Sequence, residues 1–173
     1  AATAQLIREG WLYTGDIAEI SKDGYVSITG RKKEIIVSSN GKKIYPTKVE
    51  ELFKTEALVS HMVVAGDQQA YIGALFTVNV AVAELMDGLK GKTLEEMAAS
   101  DVVFKAVRHM VLAANKNLAP HEQIKKFKIL PVDFSIEGGE LTPTMKVRRS
   151  RVLLKYADAV KELFAAKDDL LAM

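Results

Sequence analysis

The chain has 173 residues, 49% hydrophobic and 27% charged, with a formal net charge of +2 from 24 basic and 22 acidic side chains. A globular protein of this size buries about 70% of the surface its unfolded chain exposes. The composition excludes a disordered tail, a collagen and a coiled coil, and the near balance of charge argues against a dedicated nucleic-acid binder. There is no cysteine, which removes disulfides, thiolate metal sites and cysteine nucleophiles, and His61, His109 and His121 are spaced for no metal site. No apolar run approaches the roughly 20 residues that span a bilayer. The opening residues AATAQLIREGWLYTGD lack the basic-then-apolar order of a signal peptide, so a cytoplasmic or membrane-peripheral protein is expected.

In chain order, residues 1–15 offer one short polar-apolar segment and a glycine turn without a partner element. Ile17–Ile20 and Tyr25–Thr29 read as strands around a Lys22-Asp23-Gly24 turn, and Asp-Gly between two alternating runs signals a hairpin. Ile35-Ile36-Val37 reads as a buried strand, and Ser38-Ser39-Asn40-Gly41 as a loop. Pro46 opens a predicted helix through Val49, Leu52, Phe53 and Ala57. Two strands are expected at Val59–Ala65 and Tyr71–Val78. A helical region follows from about Ala81 to Leu118, broken near Gly88–Gly91, with Val103, Val107, Met110, Val111 and Ala114 on one face. Phe127–Val132 reads as a strand, Glu137-Gly138-Gly139-Glu140 as a turn, and Arg149–Ala166 as one amphipathic helix. The fold class is α+β: a short β-hairpin, then a small sheet flanked by helices.

Periodicity carries function no further, but three local sequences do. Gly10-Trp11-Leu12-Tyr13-Thr14-Gly15-Asp16, Thr29-Gly30-Arg31-Lys32-Lys33-Glu34 and Leu141-Thr142-Pro143-Thr144-Met145-Lys146 follow one another along the chain. Their order and rough spacing resemble the adenylate-forming enzymes, which comprise acyl-CoA synthetases, luciferases and peptide-synthetase adenylation domains. The segment Asn117–Phe127 resembles the long-chain fatty-acid branch in particular. Any one motif alone is weak, and three in order are a strong signal.

The resemblance implies a role for each motif. Asp16 would hold the ribose of ATP and AMP, for which an acceptor-only carboxylate is suited. Arg31 would contact the same ribose with its rigid fork of donors. Lys33 would be the hinge about which the domain rotates between two half-reactions, a task that asks only for a backbone able to turn. Lys146 would bridge the acid and the α-phosphate during adenylation. Ser39, Asn40 and Gly41 would line the path of the CoA arm, although Asn40 stands where the family usually has a second glycine. The implied cosubstrates and cofactor are ATP, Mg2+ and CoA, and the implied substrate is a fatty acid.

The family's phosphate-binding loop and acid pocket are not in this sequence. Residues 1–30 are therefore expected to be a remnant of a large N-terminal domain, and residues 31–173 its mobile C-terminal lid domain, inactive alone. That N-terminal domain is the expected partner, with no nucleic acid and with room for peripheral membrane contact. Two alternatives stay open: an acyl-AMP ligase that donates to a carrier protein, and a non-catalytic interaction module. The run Arg148, Arg149, Arg151 reads as the solvated start of the last helix. Ile124–Lys128 reads as an edge strand protected by lysine, and His61 and His109 read as structural.

Overall fold

A computed structural model of the chain describes residues 6–165. Strand β1 (Ile7–Arg8) pairs with β2 (Trp11–Leu12) across Glu9 and Gly10, both at positive φ, as a two-residue hairpin requires. The opening segment thus supplies its own partner. The expected hairpin follows as β3 (Asp16–Ile20) and β4 (Val26–Arg31), with a bulge between Ile17 and Ala18. A single 3-10 turn, Lys32–Glu34, leads to a small hairpin of β5 (Ile36–Val37) and β6 (Lys43–Ile44).

The main sheet has the order β7 (Val59–Ala65), β8 (Ile72–Val78), β9 (Ile124–Ile129), the first pair antiparallel and the second parallel. All seven residues of β8 are buried, as a central strand covered on both faces demands. Side chains alternate between two cores. Met62, Val64, Ala74 and Phe76 join Val49 of α1 (Pro46–Glu51), Phe53 just beyond it and the apolar face of α4 (Asp101–Asn115). Val63 and Leu75 face the other way, towards Leu141 and towards Val152 and Leu163 of the last two helices, α5 (Arg149–Lys155) and α6 (Ala157–Ala165).

Four expected boundaries are corrected. Helix α1 stops at Glu51 because Leu52, Phe53 and Lys54 donate three residues back, tightening the chain into turns that leave Leu52 and Ala57 exposed. The helical stretch from Ala81 to Leu118 is three helices, α2 (Val80–Ala83), α3 (Leu94–Ala98) and α4. Gly88 and Gly91 adopt φ of +75° and +74°, and Thr93 and Ser100 cap new starts with their hydroxyls. Strand β9 begins and ends three residues early: the buried Asn115 amide bonds both N–H and C=O of Ile124, and Pro131 has no donor to continue a ladder. The last helix divides at Tyr156, whose φ of −105° and ψ of 32° depart from helix. Ala166, its expected end, lies outside the described residues.

The Tyr156 hydroxyl bonds Glu140 Oε1 at 2.9 Å, and the Lys155 ammonium pairs with the same oxygen. Gly138 is small by necessity there, since a Cβ would collide with the second oxygen of Glu140. Burial pushes the Glu140 carboxyl up, but the Lys155 and Tyr156 bonds outweigh it and hold the carboxyl below the usual glutamate range. The phenol of Tyr156, half-buried beside that carboxylate, is pushed up to about 12. A depressed folded value means that Glu140 contributes its stability above the ordinary glutamate range and loses it as the pH falls through its folded value. The gap in urea midpoint between the wild-type chain and Glu140→Gln is therefore expected to narrow on acidification from neutral pH. A gap independent of pH would refute this.

Candidate functional site

The antiparallel register of β3 and β4 sets Asp16 opposite Arg31. Gly15, at φ +77°, turns the chain into β3, and its carbonyl accepts from Lys32 N–H at 2.8 Å. Arg31 Nε lies 3.2 Å from Asp16 Oδ1, with the arginine side chain 66% exposed and the aspartate 23%. Among the described residues neither side chain makes another polar contact, so acceptor and donor capacity remains for a diol. The register thus brings two motifs separated in sequence side by side.

Arg31 and Ile35 are both extended, which isolates the turn Lys32–Glu34 as a single unit between two straight segments. Lys33 is exposed within it. Glu34 points back to the domain, its Oε2 being 3.5 Å from Arg149 Nε. Arg149 is the residue that sequence reading missed. Its side chain is 13% exposed, against the solvated face expected of the arginine run. Nη1 and Nη2 grip the two oxygens of Glu50, the second at 2.7 Å, and Nη1 also donates to Val64 O at 3.4 Å. Glu50 Oε1 in turn accepts from Val64 N–H at 2.9 Å. Burial works against the guanidinium charge, but Glu50 and then Glu34 more than offset it and raise its pKa. The turn, α1, β7 and the first residue of α5 are thereby joined through one planar fork.

Lys146 sits on a loop tied at both ends. Leu141 and Val147 form an antiparallel bridge, Thr142 N–H donates to Lys146 O at 2.8 Å, and Lys146 N–H donates to Thr142 Oγ1 at 3.0 Å. Met145, at φ +60°, makes the reversal. The Lys146 side chain is exposed and has no polar partner among the described residues. It borders a groove of about 510 Å3 shared with Glu34, Thr47, His61 and Arg149. His61 is engaged there by Asp133, its Nδ1 2.9 Å from an oxygen that also accepts from Thr77 Oγ1 at 2.6 Å. His109 is exposed on α4.

Ser39, Asn40 and Gly41 form the tip of the β5–β6 hairpin. Gly41 takes the positive φ, +73°, and Asn40 does not, so the second glycine expected from the resemblance is not required for this backbone. The tip belongs to a different hairpin from the Asp16–Arg31 pair, and no hydrogen bond or ion pair among the described residues joins it to Lys146.

Other sequence readings resolve simply. Strand β9 is an edge, and its lysines are engaged rather than solvated: Lys125 bonds Gln123, Lys126 lies 5.4 Å from the centre of the Tyr71 ring, and Lys128 pairs with Glu162. Among the described residues, no three His, Cys, Asp or Glu side chains gather to hold a metal ion, and no helix is long and apolar enough to cross a membrane.

The AMP-binding enzyme C-terminal domain family matches residues 33–168. The chain belongs to that family. Among similar proteins, the AMP-binding enzyme C-terminal domain described here is 38% identical over 170 residues to long-chain-fatty-acid–CoA ligase FadD15 of Mycobacterium tuberculosis, covering 94% of this chain and 28% of that protein. Long-chain-fatty-acid–CoA ligase ACSBG1 of Rattus norvegicus is 35% identical over 177 residues, covering 90% and 24%. The chain therefore spans about a quarter of the length of these relatives. Among solved structures, the A-PCP didomain of carboxylic acid reductase from Segniliparus rugosus, in complex with AMP, matches with a TM-score of 0.74 at 25% identity. That match covers 95% of this chain and 22% of the other.

Proposed function

We propose that the chain is the mobile C-terminal domain of an AMP-forming long-chain fatty-acid–CoA ligase, with residues 1–30 contributed by the large domain that precedes it. The observation that carries the reading is Lys146, an exposed ammonium without a polar partner among the described residues, on a loop fixed at both ends. Such a group is built to meet a charge outside its own domain. The likeness to long-chain-fatty-acid–CoA ligases supports the same reading.

In the first half-reaction a fatty-acid carboxylate oxygen attacks the α-phosphorus of ATP, an O–P bond forms, and pyrophosphate leaves. Lys146 stabilises the charge on the reacting oxygens, while Asp16 and Arg31 hold the ribose. Mg2+ bound to the triphosphate would offset its negative charge. Rotation at Lys33 then withdraws Lys146 and brings up the tip Ser39–Gly41, beside which CoA enters. Its thiol loses a proton to solvent, sulfur bonds to the acyl carbon, and AMP leaves. Trp11, Ile20 and Tyr25, each more than 70% exposed, support a large domain covering the first hairpins. A cytoplasmic enzyme working on or near a membrane surface fits this substrate.

The test supplies the full-length enzyme with a long-chain fatty acid, Mg-ATP and CoA and follows products by mass spectrometry. Acyl-CoA and AMP are expected, with no acyl-AMP from the 173-residue chain alone. If acyl-AMP accumulates without a thioester, the acceptor is a carrier protein instead. An acid left unconsumed overturns the reading.

A further inference from the structure

The tip that carries Ser39, Asn40 and Gly41 is not held by its own hairpin alone. Along β5 the backbone alternates sides. Ser38 N–H donates to Lys42 O at 2.9 Å on the β6 side, and Ser38 Oγ accepts from Lys42 N–H at 3.1 Å. Val37 and Ser39 turn the other way, to the β7–β8 turn. There Val37 N–H donates to Asp67 Oδ1 at 3.0 Å, Val37 O accepts from Gln68 N–H at 2.8 Å, and Ser39 N–H donates to Gln69 O at 2.9 Å.

The β7–β8 turn is shaped at some cost to do this. Gly66 sits at φ +146°, where a Cβ would come within 2.9 Å of Tyr71 O, and Gln68 sits at φ +59°. Backbone held in such conformations persists where the surrounding structure fixes it, and it recurs at functional sites. Asp67 is exposed, so its carboxylate contributes little to the core; its bond goes to the strand entering the tip.

We propose that Asp67 is a positioning residue for thiol transfer: with Gln68 and Gln69 it seats the Ser39–Gly41 tip on the main sheet, so that the tip meets CoA as a rigid edge. The inference rests on the reading of that tip as the CoA path. It predicts an effect confined to one half-reaction, since Lys146 and the Asp16–Arg31 pair are held by other elements.

The test uses the full-length enzyme and times two steps separately: acyl-AMP formation without CoA, then thioester formation after CoA is added. Asp67→Ala is expected to slow the second step about tenfold and raise the KM for CoA, with the first step within about twofold of wild type. Asp67→Asn, whose amide oxygen still accepts from Val37 N–H, is expected to recover most of the rate. Equal slowing of both steps, or no recovery with Asn, would overturn the positioning role. Gly41→Val serves as the reference. If it slows thioester formation and Asp67→Ala does not, the positioning role fails and the CoA reading stands. If Gly41→Val leaves thioester formation intact, the CoA reading of the tip fails and the inference falls with it.

Discussion

Lys146→Ala in the full-length enzyme is expected to slow acyl-AMP formation about 10²–10³-fold, equivalent to roughly 3–4 kcal/mol of transition-state stabilisation. The loop is closed by the Leu141–Val147 bridge and by two bonds between Thr142 and the Lys146 backbone, so the backbone at Lys146 is fixed while its exposed side chain is free to reach a partner. Stability should barely change, because the side chain is exposed, and exposed positions without special contacts usually shift unfolding by no more than about 0.5 kcal/mol. Lys146→Arg is expected to restore only part of the rate, since a planar fork does not deliver charge as a compact ammonium does. Single-turnover formation of acyl-AMP checks both variants, with chemically supplied acyl-AMP as the control for the later step. An alanine variant that forms acyl-AMP at the wild-type rate would remove Lys146 from the chemistry.

Arg149→Met is expected to cost about 3–5 kcal/mol of folding stability, the penalty for stranding a buried partner of an ion pair. Both side chains are well shielded, Arg149 at 13% and Glu50 at 18% exposure, so solvent screens the pair poorly. Arg149→Lys keeps the charge but loses the two-pronged grip on Glu50, and an intermediate loss is expected. Glu50→Gln removes the charge while leaving an acceptor for Val64 N–H. On that background Arg149→Met should cost less, by on the order of 1–3 kcal/mol, in a double-mutant cycle read by urea unfolding. Strict additivity would mean that Arg149 acts through packing alone.

These two residues show what the sequence makes legible. Lys146 is announced by its own neighbours, a turn-rich stretch with a proline and flanking threonines. Asp16 and Arg31 are equally local in signal, and the Asp23-Gly24 turn between their strands sets the register that brings them together. Arg149 is the opposite case. Its carboxylate partners lie 99 and 115 positions away, so a run of arginines without a nearby acid reads as solvated, which holds for the exposed Arg148 and Arg151 whereas Arg149 is paired across the domain. The absence of any acid between Lys146 and Lys155 was the available hint. Helix boundaries failed for a related reason. Periodicity carries across residues 81–118 and 149–166, whereas the breaks come from glycines at positive φ, from Thr93 and Ser100 capping, and from Tyr156 leaving the helix where its hydroxyl reaches Glu140. Asp67 has no signal of its own, because its bond to Val37 N–H depends on where the β7–β8 turn lies in the fold.

The parallel pairing of β9 with β8 has a kinetic consequence. Parallel neighbours need a long crossover, and here α2, α3 and α4 must all be made before Ile124 can reach Ile72. On a growing chain the hairpins β3–β4 and β7–β8 close early, while one edge of β8 stays open until β9 emerges. Glu34 and Glu50 wait longer still, because Arg149 follows β9. The turn Lys32–Glu34 is thus joined to the rest of the structure only once Arg149 has emerged, and it is released if the start of α5 frays.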